Sequence, residues 1–115
     1  MLPKSVRFKD YSSLDSGNGY LAVISQSSSA LWLGRLRMQP TDLEDLFEDE
    51  GQVFLFPRDD KDRIIYGNLE GVTWFGKDRV VCVSDKVKAD QPKRCAKKDQ
   101  SIHIFQLPAG SLPSD

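Results

Sequence analysis

A carboxylate and a glycine stand together at the start of an apolar run, in the segment NLEGVTW at residues 68–74. Because successive side chains of a strand alternate between its two faces, Glu70 would share a face with Val72 and Trp74 and lie at the rim of that buried face. There it could bind a ligand or a metal ion, or act as a catalytic acid or base. The simpler interpretation is structural: Glu70 hydrogen-bonds neighbouring backbone amides, and Gly71 permits close packing.

Basic residues are concentrated in the segment 84–101, which separates two apolar runs. They are candidate binding residues for a phosphorylated ligand or an acidic protein surface: Lys86, Lys88, Lys93, Arg94, Lys97 and Lys98. The segment has no aromatic residue on which a base could stack, so nucleic acid is not an expected partner. The acidic stretch 42–50 has the opposite charge and could pair with this segment within one chain or between two. A loop that is simply solvated is the third interpretation.

The nucleophilic side chains form no established catalytic motif. His103 is the one histidine and could be combined with Ser84 and Asp85 into a triad, yet the sequence has no G-x-S-x-G elbow. The catalytic residues are therefore unknown, and enzymatic activity is not the favoured hypothesis. Cys82 and Cys95 lack the spacing of metal ligands and are expected to be free thiols. Basic neighbours would favour the thiolate of Cys95 and make it sensitive to oxidation.

Short apolar runs rich in β-branched and aromatic residues predict an all-β fold. Seven such runs, separated by Gly, Asn, Asp, Ser and Pro, begin at residues 21, 30, 53, 64, 72, 80 and 102. The exception is TDLEDLFEDE at 41–50, where Thr41 and Glu44 have the spacing of a capping box and three apolar residues share one helical face. We therefore predict one short helix near 41–49.

Two stretches of the sequence resemble each other at a spacing of about 59 residues, which indicates an internal repeat; the alternative is chance similarity between hairpins. LAVIS at 21–25 aligns with VVCVS at 80–84, and SALWLGRL at 29–36 aligns with SIHIFQL at 101–107. Each copy is predicted to be strand, tight turn, strand, loop, strand, which is typical of a propeller blade. The predicted units are residues 8–57 and 62–108 of a single domain or partial propeller, followed by a flexible tail at 109–115.

The segments that open the two units, DYSSL at 10–14 and NLEGV at 68–72, resemble consecutive blades of the phytase-like and SdiA-regulated β-propellers. The resemblance covers nearly the whole chain and implies two propeller-blade-like antiparallel sheets. It also implies a metal-assisted phosphoester hydrolase, in which Asn68, Glu70 and Asp85 offer Ca²⁺ oxygen ligands at a channel mouth and lysines hold the substrate. Apart from Ca²⁺, no cofactor is expected. Two blades cannot close a ring, so their open edges invite another chain, and three copies would supply six blades.

Composition narrows the function further. A chain of 115 residues is one domain at most, and its net charge of -1 gives no reason to expect nucleic acid or a membrane surface. No window approaches the ~20 apolar residues of a membrane helix, and no signal peptide is evident, so we expect a cytoplasmic or other intracellular soluble protein. The favoured function is a non-enzymatic binding or scaffolding module that contacts a protein partner, or further copies of itself, through the loop 84–101 and open sheet edges. The alternative is the hydrolase.

Overall fold

Seven β-strands in two antiparallel sheets make up the fold of the computed structural model, which describes residues 3, 6, 8–39, 45–88, 90–108 and 112. Four strands form the first sheet in the order β1-β2-β3-β4: β1 (Ser13–Gly17), β2 (Tyr20–Ser25), β3 (Ala30–Arg35) and β4 (Gln52–Leu55). Three form the second in the order β5-β6-β7: β5 (Leu69–Trp74), β6 (Arg79–Ser84) and β7 (Ile102–Gln106). A 3-10 helix, Lys93–Lys98, lies between β6 and β7. The predicted all-β class is confirmed.

Six of the seven apolar runs form strands, namely β2 to β7. The run at 64–66 does not, because Ile64 closes a small loop through an isolated bridge to Arg58. The Asp59 carboxylate holds that loop by accepting hydrogen bonds from the backbone N–H groups of Lys61 and Arg63, at 3.0 and 2.8 Å. These bonds fix the chain in a turn, so the apolar side chains are half-buried without joining a sheet.

The hydrophobic core lies between the facing surfaces of the two sheets. Alternation places Ala22, Ile24, Leu31 and Leu33 on the side of the first sheet that faces the second, and all four are buried. The second sheet contributes the following buried residues to this core: Leu69, Val72, Val80 and Cys82. The other side of the first sheet carries a smaller cluster in which Val6, Val23 and Trp32 are buried.

Side chains of β1 join the two sheets by bonding the edge of β5. The hydroxyl of Ser13 accepts the N–H of Val72 at 3.2 Å, and the carboxylate of Asp15 accepts the N–H of Trp74 at 3.0 Å. These two amides point away from β6, since the adjacent Thr73 pairs with β6 in the alternating ladder. The edge of β5 is therefore satisfied by side chains rather than by another strand.

The first half of the predicted helix, residues 41–44, lies outside the described residues. The helix does not extend over 46–49: the carbonyl of Leu46 accepts the N–H of Arg37 at 2.9 Å, and Phe47 forms an isolated antiparallel bridge with Leu36. The reason is a tertiary contact, because the ring of Phe47 packs edge-on against Trp32 with centroids 5.0 Å apart. The predicted tail at 109–115 also lies outside the described residues except Leu112, which packs against the main core.

The loop 84–101 is folded onto the second sheet. Its 3-10 helix, Lys93–Lys98, inserts the side chain of Cys95, which is 2% exposed, beside Gly67. Within the described residues, no helix has the length and apolar character needed to cross a membrane.

Candidate functional site

A cleft of about 760 Å³, lined by apolar side chains and by polar backbone groups, separates the outermost strands of the two sheets, β4 and β7. The two sheets are joined at β1 and β5, and on the opposite side of the core their outer strands leave this space between them. Six apolar side chains contribute to its lining: Leu31, Phe54, Phe56, Tyr66, Phe105 and Leu107. It is the largest of the described cavities and the first candidate for a binding site.

Aromatic contacts stabilise the shape of the cleft. The rings of Phe56 and Phe105 lie 4.7 Å apart and connect the two sheets. Tyr66 packs edge-on against Phe105 and against His103, with centroids 5.0 Å apart in each case. These rings come from three separate segments, so the lining is preformed by packing within the core.

The cleft is bordered by two strand edges whose backbone groups lack a strand partner. The N–H of Phe56 donates to the carbonyl of Ser29, and the N–H of Leu107 donates to the carbonyl of Asp78. These two bonds fix which residues of each strand direct their backbone groups toward the paired strand. It follows that the backbone groups of Val53 and Leu55 in β4, and of Ile102, Ile104 and Gln106 in β7, point away from the paired strand. An extended chain could form backbone hydrogen bonds with either edge.

The loop 84–101 reaches this cleft at Tyr66. The ammonium group of Lys98 lies 5.1 Å from the centre of the Tyr66 ring, a favourable cation–π contact. Among the other basic candidates, Arg94 donates to the carbonyl of Ile64 at 2.7 Å, which ties the loop down. The remaining four are exposed: Lys86, Lys88, Lys93 and Lys97.

The acidic stretch does not supply the partners of this loop in the described residues. Glu48 forms an ion pair with Arg35, and Asp45 forms one with Arg37, each at 3.0 Å. Both arginines lie at the end of β3 or just after it, so the stretch is held to the first sheet.

Ser84 and His103 are neighbours, but their contacts are structural. The Ser84 hydroxyl donates to the carbonyl of Lys98 and accepts the N–H of Ser101 at 3.2 Å, while His103 Nε2 lies 3.5 Å from Ser84 Oγ and 3.4 Å from the same Lys98 carbonyl. A serine whose proton is given to a carbonyl is not activated by the histidine. The Asp85 carboxylate accepts the N–H of Lys86 at 2.7 Å rather than a hydrogen bond from His103, so the triad of Ser84, His103 and Asp85 considered from the sequence is not formed.

The candidate metal ligands occupy different environments. Asn68 is buried and its side-chain oxygen accepts a hydrogen bond from Gln26 at 3.0 Å, whereas Asp85 is exposed. Glu70 falls at a β-bulge, where the register of β5 shifts between Leu69 and Gly71. The bulge puts Leu69 in the core and leaves Glu70 half-buried, so the strict alternation assumed from sequence is wrong at this point.

In the described part of the chain, no three His, Cys, Asp or Glu side chains form a group able to hold a metal ion. The Ca²⁺ site and the hydrolase that depends on it stay predictions.

The two cysteines are free thiols, as predicted, and both are buried. Burial raises the pKa of Cys82 to about 12, which keeps it protonated and unreactive. The side chain of Cys95, predicted to be sensitive to oxidation, is buried, because the 3-10 helix turns it inward toward the carbonyl of Ile64, 3.7 Å from the sulfur.

Sequence reasoning found the open edges but missed the cleft between them. The lining side chains lie in four distant segments, and no local pattern within any of them indicates that they meet. Comparison of the chain with protein-family models, with curated proteins and with solved structures finds no match.

Proposed function

We propose that this protein is a non-enzymatic binding module of β-propeller type that receives an extended segment of a protein partner in the cleft between β4 and β7. The observation that carries the proposal is the combination, in one cleft, of apolar lining side chains with two strand edges whose backbone groups face outward. An added strand would gain main-chain hydrogen bonds from the edge, and its alternate side chains would enter the cleft.

The exposed aliphatic residues of the two edges support this proposal. Leu55 and Val53 in β4 are 59% and 44% exposed, and Ile102 and Ile104 in β7 are 73% and 55% exposed. An apolar edge without a protecting charge is a surface on which other chains pair. Such an edge is costly to leave in water, which favours a protein partner over a small polar ligand.

The loop 84–101 gives the cleft a charged end. Lys98 lies over Tyr66, which lines the cleft, and exposed Lys97 precedes it. A carboxylate next to the apolar part of the partner segment would therefore meet positive charge at this end. The expected partner segment is a short extended stretch of alternating apolar residues with an acidic residue beside it.

The test uses a random peptide library displayed on phage and selected against the immobilised protein. Enriched peptides are expected to alternate apolar residues and to protect the backbone amides of Ile104 or Val53 from hydrogen exchange. Replacing Ile104→Pro removes an outward N–H without touching the ladder with β6, and should weaken a β7-paired peptide at least about tenfold.

The matched control is Ile104→Ala, which truncates the side chain but keeps the N–H and should therefore weaken binding less than Ile104→Pro. Val53→Pro provides the same test for the edge of β4. If no peptide is enriched, or if the enriched peptides bind both proline variants as tightly as the parent, the edges are not the binding site and the proposal fails.

A further inference from the structure

The second sheet has an apolar outer face that the described residues leave uncovered. Alternation places Val81 and Val83 of β6 on this face together with Ile102 and Ile104 of β7, opposite to the buried Cys82 and Val80. Val83 is 49% exposed, and the two isoleucines are more exposed still. We call these four residues the open face.

The first sheet is covered more fully than the second. One of its faces packs against the second sheet, and Val6, Phe8 and Phe47 cover part of the other, where Leu14, Val53 and Leu55 stay exposed. Neither hydrophobic cluster of the described residues includes a side chain of the open face. A contiguous aliphatic surface of this kind marks an interface.

Charge at the two ends of the open face indicates what covers it. Along the outer row of β6, Arg79 precedes Val81 and Val83, and Asp85 follows them at the same two-residue spacing. The row thus begins with a positive charge and ends with a negative one about 20 Å away. Both charged residues are exposed. The Arg79 guanidinium lies 4.7 Å from the centre of the Phe75 ring and the Asp85 carboxylate accepts the N–H of Lys86, but neither residue forms a salt bridge among the described residues.

This row is complementary to a copy of itself running in the opposite direction. We propose that two copies of this protein pack open face to open face about a two-fold axis that passes near residue 82 and lies perpendicular to β6. Arg79 of each copy then meets Asp85 of the other, and Val81 meets Val83. The contact is closed, because each copy uses the same surface, and two-fold dimers are the commonest symmetric assemblies.

A head-to-tail chain of copies fits less well. In the joint within one molecule, Ser13 and Asp15 of β1 satisfy the edge amides of β5. In a head-to-tail chain β5 would take the place of β1, with Gly71 at the position of Ser13 and Thr73 at the position of Asp15. Gly71 has no side chain, and Thr73 offers a hydroxyl in place of a carboxylate. Part of the receiving surface on the first sheet is also already covered by Val6 and Phe8.

Charge reversal tests the dimer through its symmetry. Arg79→Asp places two Asp-Asp pairs across the axis, and Asp85→Arg places two Arg-Arg pairs there, so each variant should dimerise about tenfold more weakly than the parent. An equimolar mixture of the two variants should associate again, because both cross-axis pairs of the mixed dimer are opposite in charge. Sedimentation equilibrium over a wide concentration range measures all three samples.

The proposal fails if the parent protein is monomeric throughout, if the mixture associates no better than the single variants, or if the parent grows into open chains rather than dimers. Circular dichroism of each variant checks the fold, and Val83→Lys offers a second route to the monomer should a charge-reversal variant not fold. Neither Arg79, Val83 nor Asp85 lines the cleft between β4 and β7. Peptide binding by the monomeric Asp85→Arg variant therefore separates failure of the dimer from failure of the proposed function.

Discussion

The joint between the two sheets depends on one carboxylate, and removing it should be measurable as a loss of stability. Asp15 accepts hydrogen bonds from the part-buried N–H of Trp74 and from the exposed hydroxyl of Thr73, both at 3.0 Å. A hydrogen bond to a charged group contributes about 1.5–3 kcal/mol, and partial exposure puts these two at the lower end. We expect Asp15→Ala to lower the free energy of unfolding by about 2 kcal/mol.

For a chain of 115 residues the entropy of unfolding is about 240 cal/mol/K, so this loss corresponds to a fall in Tm of about 8 °C. The assay is thermal and urea unfolding followed by circular dichroism. Thr73→Val removes only the exposed bond and should cost about 0.5 kcal/mol. Combined with Asp15→Ala, it should add little, since the acceptor is already gone.

Ser16→Ala is the matched control. It changes the next side chain of the same strand, which is exposed on the side of β1 opposite to Asp15. If the free energy of unfolding of Asp15→Ala is within about 0.5 kcal/mol of that of Ser16→Ala, the loss is no larger than that of an ordinary surface substitution. The carboxylate would then not hold the sheets together.

Three further predictions concern buried groups. Neither thiol should react quickly with Ellman's reagent at pH 8 in the native protein, and both should react in denaturant; fast reaction of one thiol in the native state would contradict the burial of Cys82 and Cys95. The pKa of Cys82 is raised from 9.0 to about 12, so the stability that its buried, protonated thiol contributes is complete below pH 9 and is lost as the pH rises toward 12. Cys82→Ser should remove this part of the pH dependence of the free energy of unfolding. Gly34→Ala should lower the free energy of unfolding in urea by about 1–3 kcal/mol, because the added methyl group would overlap the fully buried Trp32 ring. In Gly19→Ala the methyl group meets no atom, and the positive φ of this residue should cost about 1 kcal/mol. Equal losses for the two variants would refute the overlap at Gly34.

Alternation and punctuation in the sequence were sufficient to predict the class of the fold and six of its strands. They failed at Glu70, where a bulge shifts the register by one residue; the adjacent Gly71 was its one local signal. The run at 64–66 was misleading for a different reason. An apolar run indicates that its side chains are shielded from water but not that they lie in a strand, and Ile64 is shielded within a loop that Asp59 holds in place.

β1 was harder to predict than the other strands. Its segment SLDSG is polar because Ser13 and Asp15 serve as acceptors for the edge amides of β5, so the strand has no apolar pattern to recognise. It could be assigned from its place in the predicted repeat, before a strand that carries a clear pattern.

The amino-acid sequence by itself determined that the chain is a β protein with basic residues gathered between its last two strands, because strand periodicity and charge are local properties. Only the tertiary structure decided which edges stay open, that Cys95 points inward and that the apolar surfaces of β4 and β7 face a common cleft. Those features depend on the angle at which two sheets meet, which is set by contacts such as that of Asp15 with Trp74 between residues far apart in the chain. No periodicity within either segment encodes that angle.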